Sequence, residues 1–135
     1  MGVYKNNILI RSYNSDEKTS DALPKMFKEI LENFICSKLF FLRGPGSFMA
    51  IKITYVFLKT ISIATGAKLY ASDGFTCNDN QPIKALKNLY FIKENDEIKT
   101  KIFTQEIPQI FFLPECLDET LFNQEIEPLY VLPAV

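Results

Sequence analysis

The chain has 135 residues, a net charge of −1, 47% hydrophobic and 23% charged residues, the balance of one folded globular domain rather than a disordered segment. So even a charge weighs against a free-standing nucleic-acid binder, which carries a basic surplus. The absence of any histidine excludes Ser-His-Asp and Cys-His catalysis and histidine-based metal centres.

The opening MGVYKNNILI lacks the apolar core of a signal peptide, and the apolar stretches read as too short and interrupted to span a bilayer. A cytoplasmic protein without membrane contact is therefore expected. Residues 7–13 (NILIRSY) have the β-preference of a first strand. A polar connection follows, with Ser20 as a helix cap and Pro24 in the first turn. Leu23, Met26, Phe27, Ile30, Leu31 and Phe34 then fall on one apolar stripe, which predicts a helix over 21–34.

Lys38 to Arg43 (KLFFLR) reads as a strand covered on both faces. Gly44-Pro45-Gly46-Ser47 leads from it into a second helix over 48–65, closed by Gly66 at the left-handed position after its end. On a helical wheel that second helix is apolar far beyond the ~100° arc that one sheet can cover. Some further surface must cover it. Ile51, Tyr55, Leu58 and Ser62 lie within about 60° of one another, opposite Met49, Ile53 and Val56, and are read as the partner interface.

Residues 68–72 predict another strand, and residues 88–93 and 97–103 a hairpin about Glu-Asn-Asp. Residues 110–113 and 128–132 are short strand candidates punctuated by Pro108, Pro114 and Pro133. The first 101 residues hold fifteen bases and ten acids, whereas the last 34 hold six acids and no base. That asymmetry fits a charged partner and a solvated surface about equally.

Two features bear on chemistry. Cys36, Cys77 and Cys116 are an odd number with no C-x-x-C pair, so no metal and no cofactor are expected. The Gly44–Ser47 turn, entering a helix, has the glycines and free N–H groups that cradle phosphates, making Gly44, Gly46 and Ser47 candidate anion contacts. It lacks the Gly-Lys-Ser/Thr end of a Walker loop and the third glycine of a dinucleotide fingerprint.

Residues 40–72, FFLRGPGSFMAIKITYVFLKTISIATGAKLYAS, resemble the TsaB (YeaZ) family of bacterial tRNA-modification subunits. Gly44, Pro45, Gly46, Ser47, Phe48 and Ile53 match that family's turn and helix, and Lys52 stands where arginine is usual. Met49, Ala50 and Thr54 replace its threonine and two glycines, and Thr19 its histidine. Ser20, Leu23 and Pro24 fit its preceding segment, and Glu127-Pro128-Leu129-Tyr130-Val131-Leu132-Pro133-Ala134 its closing one.

The resemblance implies an α/β fold with an RNase H-like, actin-like ATPase (ASKHA) core and a mixed sheet flanked by helices. Residues 1–72 would form that core and 73–135 a reduced, β-rich second lobe packed against it. It also implies no catalysis by the chain itself. The implied role is a dimerisation subunit of the tRNA threonylcarbamoyladenosine complex, paired with a TsaD-type catalytic subunit or with a second copy of itself. A TsaE-type ATPase would join the assembly, and tRNA would be met only through it. The alternative is a nucleotide- or phosphate-binding module built on Gly44–Ser47.

Overall fold

The computed structural model describes residues 1–131. The elements run β1 (Gly2–Lys5), β2 (Ile8–Ser12), α1 (Thr19–Asn33), β3 (Lys38–Leu42), α2 (Phe48–Thr65), β4 (Lys68–Ser72), β5 (Ile83–Leu86), β6 (Leu89–Glu94) and β7 (Glu97–Ile102). Short 3₁₀ turns occupy Gly74–Cys77 and Glu119–Leu121. The class is mixed α/β, with two α-helices among the described residues.

Where one mixed sheet is expected, the strands pair into three small sheets: β1–β2 antiparallel, β3–β4 parallel, and β5–β6–β7 antiparallel. Turn chemistry explains the difference at the first sheet. Asn6 and Asn7 both take positive φ, 52° and 64°, the geometry of a two-residue hairpin turn. The chain thus doubles back on β2, and Asn7 belongs to a turn rather than opening a strand. The β6–β7 hairpin repeats the device with Asn95 and Asp96.

Both helices form as their periodicity requires. Leu23, Phe27 and Ile30 bury one face of α1, although its cap is Lys18 and Pro24 sits beyond the first turn. Gly66 closes α2 in the left-handed region at φ 79°. The strands expected at 110–113 and 128–132 do not form among the described residues; Leu132 lies outside them. Each segment makes an isolated backbone bond instead, Phe112 N–H to Cys77 O and Leu129 N–H to Arg43 O.

Two hydrophobic clusters result. The larger joins α1 and α2 to β3 and β4 through Leu23, Phe27, Leu39, Phe41, Leu58 and Leu69. The smaller gathers Phe75, Ile83 and Phe91 beneath β5–β7. Ile126 packs on the first and Val131 on the second, so one irregular segment touches both. The late acids reach back in sequence: Glu119 pairs with Lys38 (2.8 Å), Glu125 with Arg43 (3.5 Å) and Glu106 with Lys84 (3.3 Å). The charge asymmetry is thus partly matched within the chain.

Candidate functional site

The candidate site is α2 with the turn that launches it. β3 ends at Leu42, Gly44 adopts φ 106°, and a Cβ built there would lie 2.7 Å from Ile51 Cδ1 and 3.0 Å from Leu129 O. Only glycine fits. Ile51 therefore seats against the turn. Ile51 and Leu58 face inward at 9% and 5% exposure. Tyr55 is half-buried, 6.5 Å from the Phe41 ring between centroids, and the Ser62 hydroxyl donates to Ala67 O at 2.5 Å.

This corrects the sequence reading of the interface. Ile51, Tyr55, Leu58 and Ser62 do share a face, but that face packs inside the chain's own domain. The wheel separates two apolar faces and cannot say which one meets the sheet. The opposite face is the open one: Met49 is 61%, Val56 53% and Ile63 76% exposed. Phe48, also exposed, stacks on Tyr130 with centroids 4.3 Å apart. As a continuous helix, Phe48–Thr65 is long and apolar enough to cross a membrane by length and composition, which the shorter apolar runs of the sequence do not suggest. Its inward face nonetheless packs on β3, β4 and α1.

The Gly44–Ser47 turn is engaged by other parts of the chain. Gly44 O accepts the Gly74 N–H, Arg43 O accepts the Leu129 N–H, and the Arg43 guanidinium donates to Glu127 O. Gly44 and Pro45 are buried, Gly46 half-buried and Ser47 exposed, and the Ser47 hydroxyl makes no cap to the helix. The side of the turn facing Leu129 is filled.

A polar cleft of about 330 Å³ lies just past β4, lined by Asp73, Phe75, Thr76, Asn80, Lys93, Asn95 and Asp96. The sequence marks this region only as turn-rich, and the meeting of residues 73–80 with the β6–β7 tip is a tertiary event. Its central charges are already paired: Asp73 takes the Phe75 N–H on one oxygen and Lys93 Nζ on the other, at 2.5 Å. Burial raises the thiol pKa of both Cys36 and Cys77. Among the described residues, no group of three or more His, Cys, Asp or Glu side chains converges as metal ligands would.

No protein-family model matches this sequence, and no curated protein matches it either.

Proposed function

We propose that the chain is a non-catalytic subunit of the tRNA N6-threonylcarbamoyladenosine machinery, a reduced ASKHA-type protein acting in the cytoplasm. It pairs through α2 with a TsaD-type catalytic subunit, beside a TsaE-type ATPase, and meets tRNA only in that assembly. The observation that carries the reading is the uncovered apolar line Met49–Val56–Ile63 on the helix whose sequence resembles the family. Further support is spatial, since the two family-like segments touch through the Leu129–Arg43 bond and the Phe48–Tyr130 stack.

The test is co-expression with the TsaD-type protein of the same cell. A stoichiometric complex that Val56→Asp dissolves is expected. Failure to co-purify under conditions where both are folded would sink the proposal. Calorimetric titration with ATP addresses the phosphate-binding alternative, and no heat beyond dilution is expected because Leu129 fills one side of the turn.

A further inference from the structure

The segment after β7 is neither helix nor strand, yet hydrogen bonds pin it along its length. From Glu106 to Pro114 it runs without a turn or bend. The Ile107 N–H donates to Tyr90 Oη at 3.1 Å. The Gln109 side-chain amide accepts the Lys84 N–H and donates to Pro82 O. Further on, the Phe112 N–H donates to Cys77 O at 2.9 Å, and the Tyr4 hydroxyl to Pro114 O at 2.6 Å.

The apolar side chains of this strap nonetheless reach solvent: Ile110 is 71%, Phe111 47%, Phe112 43% and Leu113 39% exposed. One exposed apolar residue is ordinary, but four in succession on a pinned backbone mark a surface that another molecule covers. The backbone is open as well. Successive peptide groups of a straight chain point to opposite sides, so with Phe112 turned toward Cys77 those of Phe111 and Leu113 turn away. Neither residue has a backbone partner among the described residues. The strap thus presents what an exposed strand edge presents, unpaired N–H and C=O groups between apolar side chains.

Charge selects the occupant. Glu115 stands at one end of the strap, exposed and in no ion pair among the described residues. Glu106 stands at the other, its side chain 81% exposed beside Lys84. Residues 102–131 hold six acids and no base. That field repels an anionic membrane surface, and a second copy would bring the same acids against its own. A segment with basic ends is attracted.

We infer that residues 110–113 receive an extended segment of another protein, added as a strand along Phe111 and Leu113, apolar in its centre and carrying Lys or Arg at its ends. This surface shares no residue with α2, so the inference goes beyond the proposed function and does not rest on it.

The probes are short synthetic peptides with one valine-rich centre, one ending in lysines and the other in glutamates, titrated into the whole chain by fluorescence anisotropy. The lysine peptide should bind about tenfold tighter, because two exposed ion pairs replace two like-charge meetings. Ile110→Asp and Phe111→Asp should each weaken its binding by about tenfold or more, with the circular dichroism of the parent retained. The double variant Glu106→Lys/Glu115→Lys should reverse the preference. A lysine peptide N-methylated throughout its centre should lose binding, because it keeps the side chains but not the edge hydrogen bonds. That arm uses the unaltered protein and holds even where a variant fails to fold. Equal affinities, no binding by either peptide, or undiminished binding of the N-methylated one would overturn the inference. So would a dimer in analytical ultracentrifugation that Ile110→Asp dissolves, or sedimentation with phosphatidylglycerol vesicles that the same variant abolishes.

Discussion

Phe48 and Tyr130 lie 82 positions apart in sequence, yet their rings stack at 4.3 Å with planes 27° from parallel. The stack fastens the end of the described chain to the first residue of α2. Such pairs contribute roughly 0.5–1.5 kcal/mol beyond the area they bury. Phe48→Ala and Tyr130→Ala should each lower stability by about 1 kcal/mol, and the double variant by clearly less than their sum. Urea unfolding of the four proteins measures this, and strict additivity would show that the rings are not coupled.

Gly44 and Gly46 flank the same proline but tolerate change differently. At Gly44 a methyl group meets Ile51 and Leu129 O, and the backbone is left-handed at φ 106°. At Gly46 the nearest atom is Ile51 Cδ1 at 3.9 Å, an ordinary contact. Gly44→Ala should cost about 1–3 kcal/mol in chemical denaturation, whereas Gly46→Ala should stay within about 1 kcal/mol of the parent.

Much of this architecture is legible from local pattern, and the losses have physical causes. The stripe Leu23–Phe27–Ile30 and the Gly66 stop announce both helices, because helical periodicity and capping are encoded within a few residues. Residues 68–72 and the hairpin about Asn95-Asp96 are legible for the same reason. The first hairpin is hidden because Asn7 reads as the opening residue of a strand over 7–13, whereas Asn6-Asn7 is the turn between two strands. The orientation of α2 cannot be read from its wheel, since which apolar face turns inward is decided by tertiary packing, with Leu58 among Leu39, Phe41 and Leu69. The polar cleft is assembled from segments about twenty residues apart and leaves no local trace.

The two faces of α2 should therefore answer differently to truncation. Leu58 lies among Leu39, Phe41 and Leu69 at 5% exposure, so Leu58→Ala should cost about 2–5 kcal/mol. Val56, 53% exposed, should lose less than about 1 kcal/mol as Val56→Ala. Thermal melting monitored by circular dichroism distinguishes them, and equal costs would reverse the assignment of faces.

Glu119 ties the hairpin to β3, accepting from Lys38 at 2.8 Å and Asn7 at 2.9 Å. The Lys38 bond first, then Asn7, holds its carboxyl below the usual carboxylate range. A depressed value stabilises the fold above the unfolded pKa of ~4.3, and that contribution disappears as pH falls through the folded value. Lys38 is raised by the same bond, so its share is present below ~10.4 and disappears as pH rises through its folded value. Between pH 5 and pH 3 the parent should lose more stability than Glu119→Gln; parallel melting curves would contradict this.

Cysteine reactivity should follow exposure. Cys116 is exposed, whereas Cys36 and Cys77 are half-buried with thiols pushed up by burial, which leaves little thiolate near neutrality. Iodoacetamide at pH 7.5 should therefore modify Cys116 well before the other two, as peptide mass mapping would reveal. Earlier modification of Cys77 would mean that its surroundings open readily.

Ile126 and Val131 belong to a stretch with no helix or strand to hold its shape, yet they insert into different hydrophobic clusters. Such a stretch keeps its conformation only while both clusters exist to receive it. Loss of either one frees the segment and withdraws a side chain from the other, so damage on one side is felt on the other. Heat should consequently melt this small protein in a single cooperative step rather than cluster by cluster, with the thread between Ile126 and Val131 as the reason two small cores behave as one.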